Sequence, residues 1–391
     1  MTVLESFRQP RLRQPDTQQG ESFWRNMDYV LVLTVFLLGC FGIAMIYSSS
    51  RGSDPTQYSR FNSDRQAIFF SIGMALMLAV AWIRSERFRQ ASWGFYGVGL
   101  LVLLLVISPL GASRRGAQAW FEISSFQIQP SEFMKVAFIM ALANFLGGGN
   151  SKLQVPRLLS ALVMVLVPIG LVMLEPDAGT SVVFVVIAMA MIVVRGMRLR
   201  HALVLLVCSA VAVGLLLSSS ILEEYQRERL SVFINPDTET VDTYNVEQAQ
   251  IAIGNGGLFG QGYGQGSQTQ SGRVPEQHTD FIFTAIGEEL GFVGAAGIVL
   301  IYALLLWRIS RLGRASPTNY GKLLATGVMT MLAFQGFQAA GMASGIMPVT
   351  GVPFPLLSYG GSSMLATCLA IGLVLGLGQG KEENYNPAFI R

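Results

Sequence analysis

The sequence predicts an all-α integral membrane protein of about ten transmembrane helices. A long outer loop joins spans seven and eight, and a Pro-rich outer segment re-enters the membrane layer. Three observations predict this. The 391 residues are 51% hydrophobic and 13% charged, against roughly 25% charged for a soluble domain, whose surface must stay wet. The apolar residues come in runs of roughly 16 to 20 or more, enough to cross ~30 Å of hydrocarbon at about 1.5 Å per residue. Lys and Arg crowd into alternate connections between those runs.

In order, the spans fall near 30–48, 66–83, 94–109, 131–146, 158–174, 178–194, 201–219, 285–307, 321–344 and 361–379. The fifth and sixth are joined only by Glu175-Pro176-Asp177, which suits a tight hairpin at a membrane face. The organisation expected is an N-terminal tail (1–28), one ten-helix membrane domain (29–380) with its long outer loop at about 220–284, and a C-terminal tail (381–391). The first 28 residues carry Arg8, Arg11, Arg13 and Arg25 and no apolar core, so they are no cleavable signal peptide; the first span serves as the insertion signal.

Orientation follows from the basic residues. With both ends in the cytoplasm, inner segments hold 18 of the 27 Lys and Arg, outer segments hold 8, and Lys135 lies within a span. The net charge of +3 is spread through loops, with no nucleic-acid footprint. Cys40, Cys208 and Cys368 all sit in apolar runs without paired or metal-type spacing, as small lipid- or core-facing residues. No internal repeat is visible.

Two outer segments stand out. Residues 254–264 are too glycine-rich for a regular element, yet Leu258, Phe259 and Tyr263 interrupt them, which favours an ordered functional loop over a linker. Residues 347–361 are apolar but broken by Pro348, Pro353 and Pro355. Such backbone persists at membrane depth only when buried in protein or lining a wet cavity.

Ionisable residues cluster at the outer ends of the spans. Glu132 and Lys135, three apart, share one face of the fourth span. Lys135 either snorkels to the surface or is functional, the default for a charge inside a span. Asp280, after His278 and Thr279 and before Phe281-Ile282-Phe283, sits at the edge of the apolar layer. There it either caps a helix or, partly desolvated, acts as a base. Glu288 and Glu289 end an amphipathic helix or make a buried contact; the sequence leaves both open. Arg65, Arg114 and Arg115 are lipid anchors or ligands of diphosphate oxygens. Asp177 is a turn residue or part of the same site. Together these residues suggest a site for an amphiphile with an anionic head group.

The motifs resemble one family closely. Pro275-Glu276-Gln277-His278-Thr279-Asp280-Phe281-Ile282-Phe283 and Gly351-Val352-Pro353-Phe354-Pro355-Leu356-Leu357-Ser358-Tyr359-Gly360-Gly361-Ser362-Ser363 carry the resemblance. Gln129-Pro130-Ser131-Glu132, Pro176-Asp177-Ala178-Gly179-Thr180 and Gly287-Glu288-Glu289-Leu290-Gly291 extend it over nearly the whole chain from Arg65-Gln66 onward. The chain resembles the SEDS proteins (shape, elongation, division and sporulation). Gly266-Ser267-Gln268-Thr269-Gln270 and Val352-Pro353 lean toward the RodA branch over FtsW and SpoVE. Departures are Ala119, where many members have Arg before Trp, Glu175 for a common Gln, and Asn255 for a common Ser.

The resemblance implies a peptidoglycan glycosyltransferase of the bacterial cytoplasmic (inner) membrane, polymerising lipid II in cell elongation and shape maintenance. The implied partners are a class B penicillin-binding protein transpeptidase, other elongation-complex membrane proteins and membrane lipids. The implied essential acid is Asp280. On this reading Asp280 is general base, and Lys135, oriented by Glu132, joins Arg65, Arg114 or Arg115 in offsetting diphosphate charge. Asp177, His278, Thr279, Ser358 and Tyr359 complete the substrate site. One carboxylate at the anomeric centre predicts inversion, by analogy with glycoside hydrolysis. The sequence marks no cofactor and leaves the metal unknown. Diphosphate chemistry often recruits a divalent cation such as Mg or Mn, which Asp177 or Asp280 could contact. The competing readings are a lipid II flippase, for which internal repeats and midplane charges would be expected, and a non-catalytic scaffold, for which Asp280 would be dispensable.

Overall fold

The computed structural model describes residues 24–25, 27–51, 60–83, 85–114, 117–123, 126–148, 154–197 and 241–381. The helices are α1 (Tyr29–Ser49), α2 (Phe61–Trp82), α3 (Ser85–Ile107), α4 (Pro130–Gly147), α5 (Val155–Leu174) and α6 (Ala178–Val194). Then come α7 (Val241–Gly256), the short α8 (Ser267–Ser271), α9 (Ile282–Ala315), α10 (Asn319–Ala343) and α11 (Gly361–Leu375), which runs into a 3-10 turn, Gly376–Lys381. Each predicted span except 201–219, which lies outside the described residues, coincides with one of these helices. The protein is an all-α membrane protein. Its one described sheet is small: β1 (Ala112–Arg114), β2 (Ala117–Ile123) and β3 (Phe126–Ile128), antiparallel in that order, in the connection between α3 and α4.

Burial sorts the helices into layers. The most apolar stretch of α11 is 83% buried, that of α3 only 22%, so α11 is central and α3 faces the surrounding apolar medium. Between helices in lipid the hydrophobic effect gives little, and close van der Waals packing carries association. Accordingly α2 and α11 approach where Gly73 faces Cys368 and Gly372 faces the Met77 carbonyl. Helix α4 falls short of the apolar spans because it contains Glu132 and Lys135, and it compensates by being buried along most of its length, with Phe138 edge-on to Phe184 of α6. Asp28 caps α1 by accepting from Leu31 N (3.0 Å) and pairs with Arg308 near the end of α9.

The chain alternates between two ends. One, expected to face outward, collects the sheet, α7, α8, the starts of α4, α6, α9 and α11, and the Pro-rich segment. That segment descends into the bundle: a Cβ on Gly42 would lie 2.5 Å from the Leu356 carbonyl. Gly42 is seven residues below the end of α1, or roughly 10 Å at the helical rise. Phe354 packs edge-on against Tyr302 (5.1 Å between ring centroids) and stacks with Phe283. The non-helical backbone at this depth is therefore enclosed by protein, as a re-entrant segment requires.

The long loop is more regular than its composition predicts. Among its described residues, 272–281 is a run of turns, helix α7 continues through Gly254–Gly256, and 257–266 is irregular. This part is latched to α9 at Gly291, whose φ of 67° and ψ of −167° break the helix. Gln261 N and Gly262 N donate to the Glu288 and Glu289 carbonyls, while Phe292 N and Val293 N donate back to Gly257 and Leu258. A non-glycine residue at this φ would be strained.

Candidate active site

Glu288 and Glu289, left open by the sequence, are fully buried anchors. Glu288 accepts from Gln268 N (2.7 Å), Thr269 N (2.8 Å), Thr269 Oγ1 (2.6 Å) and Ser267 Oγ (3.2 Å), so its carboxylate caps α8. Glu289 accepts from Ser48 Oγ (2.6 Å) and Gln270 Nε2 (3.2 Å), tying α8 to α1. Gln277 Nε2 then donates to Thr269 Oγ1 (2.9 Å) and Thr284 Oγ1 (3.1 Å), carrying this scaffold to the turn that holds Asp280. Glu288→Gln replaces acceptor capacity with a donor among donors. It is expected to cost about 1.5–3 kcal/mol, read as a lower unfolding temperature of the purified protein.

Asp280 lies where this turn enters α9. Thr279 N and Asp280 N both donate to the Glu276 carbonyl (3.1 and 3.0 Å). Thr279 Oγ1 donates to that carbonyl and to the Glu276 carboxylate (3.0 and 3.2 Å). Phe281 and Ile282, both buried, pull the turn inward, and Asp280 stays half-buried at the rim. Its position at the start of α9 favours a negative charge.

The Pro-rich segment is fixed beside it. Tyr359 N donates to the His278 carbonyl (2.9 Å), and their rings lie 5.8 Å apart. Gln66 clamps the same loop, donating to the Ser358 carbonyl (3.0 Å) and accepting from Gly360 N (3.2 Å). Ser358 Oγ is spent inside the loop, accepting from Phe354 N (2.9 Å). Further along, a Cβ on Gly351 would lie 3.8 Å from Asp280 Oδ2, and one on Gly179 would lie 2.6 Å from the Thr350 carbonyl. The Thr350–Gly351 backbone thus lies between Asp280 and the start of α6.

There Asp177 caps α6, accepting from Thr180 N (2.9 Å) at Oδ1 and from Gln129 Nε2 (3.3 Å) at Oδ2. Burial pushes its carboxyl up, and the Thr180 hydrogen bond and the nearby Lys135 charge oppose that push. Lys135 Nζ and Glu132 Oε1 are 2.7 Å apart, with side chains 1% and 5% exposed. Lys135 therefore does not snorkel to the surface. Ser362 binds the start of α4, accepting from Gln129 N (3.0 Å) and donating to the Gln127 carbonyl (3.2 Å). Arg65 lies over the rings of Phe61 (4.9 Å) and Phe126 (5.3 Å). Arg114 lies in β1, opposite Ala117, and Arg115 is outside the described residues. The structure thus brings Glu132, Lys135, Asp177, His278, Thr279, Asp280, Ser358 and Tyr359 to one end. The sequence reading missed the roles of Gln129 and Ser362, which lie inside motifs it had singled out. Among the described residues no three His, Cys, Asp or Glu side chains converge as metal ligands.

Glu175, beside Asp177, is fully buried, and neither carboxyl oxygen has a hydrogen-bond partner among the described residues. Burial and the neighbouring Asp177 push it from 4.5 up to about 8. Between those values the folded chain holds a proton that the unfolded chain has lost. The stability this supplies is complete below pH 4.5 and is lost as pH rises through about 8, at about 1.4 kcal/mol per pH unit. Glu175→Gln, isosteric with the protonated acid, is expected to flatten unfolding temperature against pH over that window.

A family model described as cell cycle protein, FtsW/RodA/SpoVE, matches residues 28–383. The chain belongs to the FtsW, RodA and SpoVE family. The stage V sporulation protein E of Bacillus subtilis is 36% identical over 357 residues, covering 90% of this chain and 96% of that protein. The peptidoglycan glycosyltransferase RodA of Treponema pallidum is 33% identical, covering 90% and 97%. Among solved structures, a chain from a peptidoglycan synthase complex that coordinates polymerization and crosslinking is 32% identical, with a TM-score of 0.78 and coverage of 92% and 99%. Coverage this complete means that the FtsW, RodA and SpoVE family fold accounts for both the helical bundle and the loops that build the candidate site.

Proposed function

We propose that this chain is a peptidoglycan glycosyltransferase that polymerises lipid II into glycan strands at the outer leaflet of the bacterial cytoplasmic membrane, in cell elongation and shape maintenance. The observation that carries the reading is Asp280: an acid left half-buried at the rim while its backbone is fixed by Glu276 and its flank by the loop at Gly351. Names of relatives such as the Treponema pallidum protein support the activity, and the distribution of basic residues supports cytoplasmic termini. A class B penicillin-binding protein is the proposed partner; the resemblance to a chain of a synthase complex supports it.

In the reaction, the Asp280 carboxylate takes the proton of an acceptor sugar hydroxyl as that oxygen attacks the anomeric carbon. The bond from that carbon to the diphosphate oxygen breaks, and the diphosphate leaves with the electron pair. A single displacement inverts the anomeric centre. Lys135 takes a different part from the one its sequence position suggests. Its ammonium is buried and spent on Glu132, so it acts as a positioning residue beside Asp177. Arg65, with Arg114 or Arg115, offsets the charge of the diphosphate, and His278, Thr279 and Tyr359 shape the acceptor side.

The test uses the full chain with its candidate transpeptidase in proteoliposomes carrying labelled lipid II. The expected result is muramidase-sensitive polymer. Movement of lipid II across the bilayer without polymer would replace this reading with a flippase.

A further inference from the structure

At the end of the bundle opposite Asp280, basic side chains gather where α9 ends and α10 begins. Two are already engaged: Arg308 pairs with Asp28, and Arg311 lies over the Trp307 ring at 5.9 Å. Glu86, the other acid of this end among the described residues, pairs with Arg89 at 2.6 Å. Arg314 and Lys322 have no counter-charge among the described residues, and they border a cavity of about 310 Å³.

The cavity follows from helix spacing. Ser310 and Arg314, four apart, share a face of α9, while Lys322, Thr326 and Met329 share a face of α10. The two faces meet where a Cβ on Gly313 would lie 2.5 Å from the Ala325 Cβ. Val194 of α6 borders the opening, and Val193 and Val194 are exposed toward the medium around the bundle. Lys322 stands at the fourth residue of α10, near the positive end of that helix dipole, where a cation gains nothing and an anion is favoured. At roughly 30 Å³ per water, the volume holds about ten waters, ample for a phosphate and its glycerol.

We propose that this cavity binds the phosphate of an anionic phospholipid head group, with the acyl chains along the exposed face of α6. Arg314 and Lys322 supply the charge, Ser310 and Thr326 the hydroxyls, and Val193 and Val194 the apolar wall. Basic recesses between transmembrane helices on a cytoplasmic face suit such head groups, and the basic-residue count assigns this end to the cytoplasm. The proposal is independent of the glycosyltransferase reading, because its readout is binding.

The experiment is native mass spectrometry of the full chain in detergent, titrated with phosphatidylglycerol or phosphatidylcholine. The expected result is selective retention of phosphatidylglycerol by the wild type. Retention should be about twenty-fivefold weaker in R314Q/K322Q, from two basic groups worth on the order of fivefold each. Thr326→Trp, which fills the cavity and keeps both charges, is expected to weaken it similarly. Equal retention of both lipids, or undiminished retention in R314Q/K322Q, would overturn the site. Loss in R314Q/K322Q but not in Thr326→Trp would reduce it to surface attraction and overturn the cavity. Release of phosphatidylglycerol by inorganic phosphate at equal concentration would assign the cavity to a soluble phosphate and overturn the lipid.

Discussion

Lys135→Met is expected to destabilise the protein by about 3–5 kcal/mol, the cost of leaving a buried charge without its partner. Glu132 is 4% exposed and Lys135 1%, so water cannot replace the ammonium at 2.7 Å. The loss should appear as a lower unfolding temperature and a lower steady-state amount in the membrane. The double change Glu132→Gln with Lys135→Met removes both charges and is expected to recover most of that stability, because neutral groups of similar size carry a smaller desolvation cost. Failure of the double change to recover would mean that Lys135 supports the fold through its length and packing. Recovery of stability without recovery of polymerisation would identify the pair as positioning the Asp177 side of the site.

Asp280→Asn is expected to abolish glycan polymerisation, with a rate loss of about 10²–10⁴, the usual contribution of a positioned general base. The amide keeps the size of the side chain, and the turn is held by main-chain bonds to Glu276, so the unfolding temperature should change little. The loss should fall on turnover more than on retention of lipid II, since a base acts in the transition state and the remaining contacts are intact. Equal losses in lipid II binding and turnover would make Asp280 a binding residue.

The spans were legible because length and apolarity are local properties, and each described spanning helix starts or stops near the expected residue. Asp280, Lys135 and Asp177 stood out in the sequence because a charge at the edge of an apolar run is costly without a purpose. What the sequence left open depends on residues distant in the chain. Glu288 and Glu289 could not be assigned because their donors come from Ser267–Gln270 and Ser48, joined to them only by the fold. Helix α7 was hidden because glycine at its end reads as loop, although the latch to Gly291 holds it there. Strands β1 and β3 have three residues each, too few to show an alternating pattern, and in β2 the adjacent Trp120 and Phe121 break the alternation. The burial of Lys135 was invisible because a long side chain near a span end reads equally well as snorkelling. Gln66, Gln129 and Ser362 carry no charge to draw attention, yet they fasten the Pro-rich segment, Asp177 and the start of α4.

The most direct test of the central claim is polymerisation of labelled lipid II by the purified chain with its transpeptidase partner, wild type beside Asp280→Asn. Polymer from the wild type alone, with both proteins equally folded, is the predicted result. Polymer from both would contradict the account by moving the base away from the rim beside Gly351.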